Sequence, residues 1–186
     1  MNHYDELAKI VMNREVLLIA PGKSSIREVD KIQEYVKKNS PIVISINFEY
    51  ELCKLDFVFI SNLRRYRQLD KNVEDKCIVT SNIPCDNAYL KVKYADLIND
   101  VDYVTDNAGL MIIKLLIKMG VKDISLSGFD GYSELNYENY SEDSMILNQS
   151  PSVSYKLNYG IIKMLKEYSK HVKFKFITSA RNIILA

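Results

Sequence analysis

The chain has 186 residues, of which 47% are hydrophobic and 26% are charged, and its formal net charge is +1. This length and composition suit one soluble globular domain with a sizeable core. The balanced charge excludes a global bias toward nucleic acid or anionic membranes, and no apolar run approaches the roughly 18 residues that a membrane-spanning helix requires.

Helical and strand patterns alternate along the whole chain. Strands are predicted where continuous apolar runs stand between turn residues, because strands buried on both faces are apolar throughout. Helices are predicted where apolar residues recur every three or four positions. In chain order the sequence predicts a helix at 3–13, a strand at 16–20, a helix at 24–38, strands at 42–46 and 57–61, a helix at 62–69, a strand at 77–80, an edge strand at 88–94, a helix at 107–120, a strand at 123–128, a helix at 152–169 and a strand at 172–178.

This alternation predicts a doubly wound, mostly parallel, Rossmann-like α/β sheet. Strand–helix–strand units connect by right-handed crossovers, which place helices on both faces of the sheet. No linker or internal repeat divides the sequence, so residues 1–186 are expected to form a single domain.

The segment APGKSS at 20–25 contains the GKS tail of a phosphate-binding P-loop. A Walker A loop would need glycine where this chain has Leu17, and the Rossmann fingerprint is absent because only Gly22 is present. The loop still leads into a helix N-terminus, whose free N–H groups and dipole favour anions, and Lys23 adds positive charge. Two interpretations stay open: an anion site formed by Gly22, Lys23 and Ser24, or an ordinary turn with a serine cap.

The helix after this turn has the spacing of a capping box. Ser24 or Ser25 can cap it, and Glu28 stands three residues after Ser25. We therefore expect one continuous helix from this point to about Lys38.

Polar and glycine residues follow the carboxyl ends of the predicted strands. Asn47 ends the second strand and Asn62 follows the third. Open α/β sheets bind ligands at this edge, and an asparagine amide can both donate to and accept from a base or ribose. The alternative is that both asparagines are turn or cap residues. The residues that follow the strand at 123–128 are Gly128, Phe129, Asp130, Gly131 and Tyr132.

A second helix N-terminus lies in TDNAGLM at 105–111. Asp106 or Asn107 can cap this helix, while Ala108 and Gly109 are small enough to allow close approach of a ligand or of a neighbouring helix. Both interpretations stay open.

The segment at 131–155 differs from the rest of the chain. It contains no Lys or Arg, carries four acidic residues and four tyrosines, and has no clear period. It follows a strand end where ligands bind, and loops of this length are often lids or binding loops, or else are disordered. A lid and a solvated excursion are the two alternatives.

Residues suited to acid–base catalysis are few. His3 lies near the terminus and His171 precedes the last strand, at the end opposite the expected ligand edge. Asp130 is the best-placed carboxylate, although no partner is evident. The arginines of LRRYR at 63–67 could meet phosphates but are more typical of a solvated helix face, and a nucleic-acid interface is not expected.

The three cysteines, Cys53, Cys77 and Cys85, form no CxxC pair. Their odd number and the absence of a signal-peptide pattern favour free thiols in a reducing cytoplasm. No zinc-ligand spacing is present, so no metal site is expected in this chain.

The order of these segments resembles the fold of bacterial sialyltransferases, which use a CMP-sugar donor. The resemblance spans roughly residues 15–178 and is strongest in GFDGYS, after the apolar helix. The family's general-base histidine has no counterpart here, where the chain reads SPSVSYKLNYG, which argues against sialyl transfer by that mechanism. By position, the resemblance implies nucleotide contacts at Gly22, Lys23, Ser24, Asn47, Asn62, Asn107, Gly109, Gly128, Phe129, Asp130 and Tyr132.

The chain also resembles the C-terminal part of two-domain aldolase-like proteins of bacterial surface-polysaccharide loci. Their N-terminal barrel is similar to 4-hydroxy-2-oxovalerate aldolase and HMG-CoA lyase. The matching segments here are VLLIAPGKS, PIVISINF, FISNLRR, DNAGL and GFDGYS. Because such a barrel needs about 250 residues, the resemblance implies that this chain is a fragment and that aldol chemistry and any divalent metal belong to the barrel.

These observations lead to one expected function and two alternatives. We expect a module that binds a nucleotide or nucleotide sugar beside an aldolase-like barrel in surface-polysaccharide biosynthesis. Further copies of the same chain are a second expected partner, in a homo-oligomer. One alternative is an active glycosyltransferase that uses Asp130 or a lid tyrosine as base. The other is a non-catalytic interaction domain.

Overall fold

The computed structural model describes residues 2–183, and the apolar runs form the centre of a parallel sheet. Within the described residues the strands are β1 (Val16–Ile19), β2 (Ile42–Ile46), β3 (Phe57–Ile60), β4 (Cys77–Thr80), β5 (Leu90–Val92), β6 (Asp123–Ser127) and β7 (Lys173–Phe176). The helices are α1 (His3–Met12), α2 (Ser24–Arg27), α3 (Val29–Asn39), α4 (Leu63–Tyr66), α5 (Ala108–Lys118) and α6 (Pro151–Tyr168). The predicted α/β class is confirmed.

The strand order is β5-β4-β3-β2-β1-β6-β7, and each neighbouring pair is parallel. The chain steps outward from β1 to β5 and then returns to place β6 on the other side of β1. Ile19 therefore pairs with Ser45 on one side and Ser127 on the other. The strand order reverses between β1 and β6, and such a switch point opens a crevice at the carboxyl edge of the sheet.

The side chains of β1 divide the core into two layers. Val16 and Leu18 join the cluster that α1, α5 and α6 cover, whereas Leu17 and Ile19 pack with the α3 residues Ile32 and Tyr35 on the opposite face. Successive strand residues point to opposite faces, so a strand covered on both sides must be apolar throughout. No helix within residues 2–183 combines the length and the apolar character that a membrane crossing would need.

The predicted helix at 24–38 is two helices, and the predicted capping box is wrong. α2 ends at Arg27 and α3 begins at Val29. The Ser25 hydroxyl donates to the Gly22 carbonyl oxygen, while Glu28 Oε1 accepts the backbone N–H of Ser179 at 3.0 Å. A partner far along the chain thus engages the glutamate that local spacing assigned to a cap. The predicted helix at 62–69 is also shorter, ending at Tyr66.

The loops that follow β1 and β6 are joined directly. The N–H of Ala20 donates to the Ser127 carbonyl oxygen at 2.8 Å, and the N–H of Gly22 donates to the Gly128 carbonyl oxygen at 3.1 Å. A Cβ on Gly22 would overlap the Gly128 carbonyl, and a Cβ on Gly128 would overlap the Ala20 carbonyl. Gly22 is therefore required by loop–loop packing.

Alanine substitutions at three glycines separate backbone strain from loop overlap. Gly128 and Gly120 both have positive φ, at +71° and +87°, but only Gly128 faces a backbone atom, since a Cβ on Gly120 would lie 3.5 Å from Met12 Sδ. We expect Gly120→Ala to lower the free energy of unfolding by about 1 kcal/mol from strain alone. Gly22→Ala and Gly128→Ala should each cost about 3 kcal/mol or more, because backbone cannot yield as a side chain can.

Urea denaturation of the three variants measures these differences. Equal losses for Gly120→Ala and Gly128→Ala would contradict the loop contact described above.

Candidate functional site

A cavity of about 330 Å³ opens at the carboxyl edge of the sheet, over the switch point. Its walls come from the loops after β1, β2 and β3, from the segment between β6 and α6, from α6, and from the start of α5. The predicted convergence of strand ends is confirmed. The predicted residues that line this cavity are Gly22, Asn47, Asn62, Asn107, Gly109, Gly128, Phe129, Asp130 and Tyr132.

Lys23 and Ser24 are absent from the cavity wall, and the N-terminus of α2 is engaged by the chain itself. The backbone N–H of Ser24 donates to Asp130 Oδ2 at 2.8 Å, and the Ser24 hydroxyl donates to Asp130 Oδ1. Thr178 Oγ1 lies 2.8 Å from the same hydroxyl oxygen and accepts the Gly128 N–H at 2.9 Å. The position that the sequence offered to a ligand anion is therefore filled by the carboxylate of Asp130.

The environment of Asp130 disfavours its charge. Its side chain is buried, and this desolvation raises the pKa of the carboxyl, while the two bonds from Ser24 act in the opposite direction. This carboxylate, proposed above as a base, is thus a packing partner of α2.

Three asparagines on the cavity wall share one arrangement. Each side-chain oxygen accepts a backbone N–H: Asn47 Oδ1 from Ser61 at 3.1 Å, Asn62 Oδ1 from Arg65 at 3.2 Å, and Asn107 Oδ1 from Leu110 at 3.1 Å. Asn62 and Asn107 are N-caps, and Asn47 has a left-handed backbone with φ of +61°. The cap and turn alternatives are therefore confirmed, and each amide group keeps its N–H₂ as a donor.

The start of α5 adds backbone donors to the same wall. Asn107 side-chain and backbone oxygens accept the N–H groups of Leu110 and Met111. The N–H groups of Ala108 and Gly109 have no hydrogen-bond acceptor among residues 2–183, as expected of the first residues of a helix. A Cβ on Gly109 would lie 3.0 Å from Phe129 Cε1, so this glycine is small partly to admit that ring.

Arg65 lines the cavity although it is not among the predicted site residues. The sequence left two interpretations of the LRRYR arginines, phosphate contact or a solvated helix face, and favoured the second, yet only 7% of Arg65 is exposed. Its Nη2 donates to the Met145 carbonyl oxygen at 2.9 Å and its Nη1 to Gln68 Oε1 at 3.1 Å. Desolvation lowers the pKa of the guanidinium. A signal for this burial is absent from the local sequence, because the covering residues lie 80 positions away.

Residues 131–150, here called the lid, fold over the cavity. Tyr132, Tyr140 and Met145 contribute to its wall. Arg27 forms a two-pronged ion pair with Glu138, at 2.8 and 3.1 Å, and the Ser141 N–H donates to the Pro21 carbonyl at 2.7 Å. Of the two interpretations of this segment, the structure supports the lid, and the last residues of the predicted segment begin α6.

No histidine lines the cavity in the described part of the chain, residues 2–183. His3 stacks on Tyr89, and His171 is exposed just before β7. Burial and the neighbouring Tyr140 raise the pKa of Tyr132 above its ordinary value, so its phenolate form is less accessible than that of an exposed tyrosine. Among residues 2–183, no three His, Cys, Asp or Glu side chains are grouped so as to hold a metal ion.

No protein-family model matches this chain, and no curated protein matches its sequence. The class that the structure defines is a Rossmann-like α/β fold with a donor-rich cavity at its switch point.

Asparagine and alanine at Asp130 should separate the hydrogen bonds from the buried charge. Asp130→Asn can still accept the Ser24 N–H, so we expect its unfolding free energy at pH 7 to stay within about 1 kcal/mol of the unchanged protein. Asp130→Ala leaves buried Ser24 groups unsatisfied and should lose about 1–3 kcal/mol.

The pH dependence has a defined sign. Because the folded pKa of Asp130 is raised above the usual 3.8, the folded state binds more protons between those two values. Stability relative to Asp130→Asn should therefore be greatest below pH 3.8 and should fall as pH rises through this window. Denaturation across pH measures it, with exposed Asp75→Asn as the control, and a difference that increased with pH would refute the assignment.

Proposed function

We propose that the cavity binds a nucleotide or nucleotide sugar. The observation that carries this proposal is the shared arrangement of Asn47, Asn62 and Asn107, whose side-chain oxygens are all held by backbone N–H groups. Each of these residues lines the cavity, and its N–H₂ group makes no hydrogen bond within residues 2–183 and is available to a ligand. A wall that offers amide N–H₂ groups and free backbone N–H groups suits a ligand rich in acceptors, such as a phosphate or a pyrimidine carbonyl.

The apolar part of the wall supports a base-bearing ligand over a simple anion. Phe129, Tyr132, Leu157 and Ile161 line the same cavity as the asparagines. An aromatic face binds a nucleobase by stacking, at about 1–3 kcal/mol per base, in any base sequence. The volume of about 330 Å³ lies at the lower end of ligand pockets, roughly 300–1,000 Å³, and suits a ligand of mononucleotide size.

The resemblances noted above extend the proposal to a biological setting. On that basis, the module serves an aldolase-like barrel in surface-polysaccharide biosynthesis, and the aldol chemistry lies outside this chain. Glycosyl transfer is the weaker alternative, because Asp130 is committed to Ser24 and no histidine lines the cavity. An interaction domain that binds no nucleotide is the other alternative, and the titration below separates it.

Asparagine-to-aspartate substitutions test the donor wall without removing the local bonds. Aspartate keeps the oxygen that accepts the backbone N–H and is itself a good N-cap, but it replaces the N–H₂ donor with a negative oxygen. We expect Asn62→Asp and Asn107→Asp to weaken CMP or CDP binding at least about tenfold, since each exchanges a favourable contact for a repulsive one. Isothermal calorimetry with CMP, CDP and CMP-sialic acid measures the affinities.

The control is Asn72→Asp, because Asn72 is exposed in the short 3₁₀ helix Lys71–Lys76 and is not part of the cavity wall. Its affinity should match that of the unchanged protein, and thermal unfolding should show that all variants remain folded. Absence of binding by the unchanged protein at millimolar nucleotide would sink the proposal and favour the interaction domain. Release of CMP from CMP-sialic acid would favour the glycosyltransferase instead.

A further inference from the structure

Arg65 is a buried charge without an ion-pair partner among the described residues 2–183. Only 7% of the residue is exposed, and none of the ion pairs among residues 2–183 includes it. Its two hydrogen-bond acceptors, the Met145 carbonyl and Gln68 Oε1, are neutral, and Glu142 attracts it only from beyond ion-pair distance. Buried charges in proteins are normally paired, because removing an ion from water costs several kcal/mol that neutral acceptors recover only in part.

The guanidinium of Arg65 has N–H donors that make no hydrogen bond within residues 2–183. Of its five N–H groups, one on Nη1 and one on Nη2 are used. A ligand anion in the cavity can therefore bond to Arg65 while the bond to the lid carbonyl of Met145 stays in place. The planar fork suits bidentate contact with phosphate or carboxylate.

The same side chain holds the lid. Besides the bond to Met145, its guanidinium carbon lies 5.8 Å from the centre of the Tyr140 ring, and Tyr140 packs edge-on against Tyr132 at 6.4 Å between ring centres. Met145 is itself buried, in the core layer that β1 and α3 share. Arg65 thus touches the cavity, the lid backbone and the lid aromatic pair at once.

We propose that Arg65 is the anion receptor of the cavity and that an anion bound to it stabilises the lid in its closed position. A ligand anion supplies the missing counter-charge, which fixes the guanidinium against the Met145 carbonyl and Tyr140. Ligand affinity and lid closure are then coupled through one residue, and the coupling is reciprocal. The inference rests on the proposed function only for the identity of the ligand, since any phosphate of suitable size supplies the charge.

Hydrogen–deuterium exchange of the lid, residues 131–150, tests the coupling. Saturating CMP or pyrophosphate should slow exchange in the lid about tenfold in the unchanged protein, as a coupling of typical size would. Cytidine, which carries no phosphate, should leave lid exchange unchanged. Arg65→Gln keeps a donor for Met145 but removes the charge, so anion-dependent protection and most anion affinity should be lost, whereas Arg65→Lys should retain part of both.

Two neighbouring arginines provide matched controls. Arg64 is exposed and donates to the Ser144 carbonyl oxygen of the lid at 3.0 Å but does not line the cavity. Arg64→Gln should therefore change basal lid exchange and keep the anion-dependent change. Arg67 is exposed and also outside the cavity wall, and Arg67→Gln should change neither.

The outcomes distinguish this inference from the proposed function. If CMP binds but Arg65→Gln binds it equally well, or if lid exchange does not respond in the unchanged protein, the role of Arg65 is overturned and nucleotide binding survives. If pyrophosphate protects the lid, this protection is lost in Arg65→Gln and no nucleotide binds, then Arg65 is the receptor and the nucleotide proposal fails. If no anion binds, both fall.

Discussion

The site depends on one contact, the joining of the loops that follow β1 and β6. The carbonyl oxygen of Gly128 accepts a hydrogen bond from the N–H of Gly22, and the carboxylate of Asp130 accepts hydrogen bonds from the N–H and hydroxyl groups of Ser24. These bonds lie at the β1–β6 switch point, where dinucleotide-binding folds place a phosphate, and the residues that make them form one wall of the cavity. From there the cavity extends toward the ends of β2 and β3 and the start of α5.

Asp130 and Arg65 are ionisable side chains on different parts of the cavity wall. Asp130 stands on the β6 side and Arg65 on the β3 side, with β1 and β2 between them in the sheet. The cavity wall therefore carries a carboxyl group after β6 and a guanidinium group after β3.

Strands and the positions of their carboxyl ends could be predicted from the sequence, because they depend on neighbouring residues. Buried parallel strands must be apolar on both faces, so VLLIA, IVISI and FVFIS are visible as strands, and their carboxyl ends locate Asn47 and Asn62 at one edge. Residues whose partners are distant are not predictable in this way. Glu28 has capping-box spacing but accepts from Ser179, which divides the helix, and the lid covers Arg65 from 80 positions away. Residue type and position along the chain therefore predicted many residues of the cavity wall. The burial of Arg65 beside the cavity depends on contacts with distant residues and was not predictable from local sequence.

The lid bonds differ in how much a ligand can influence them. Arg27 and Glu138 meet at the surface, where water already solvates both charges and salt screens their attraction, so an occupied cavity changes that pair little. Arg65 is buried, so the local dielectric is low and a nearby anion would interact with its charge strongly. Its lid acceptor is an uncharged carbonyl, which does not neutralise that charge. An occupied cavity should therefore change the energy of the buried Arg65 contact more than that of the surface pair, which is the physical basis of the proposed coupling between ligand and lid.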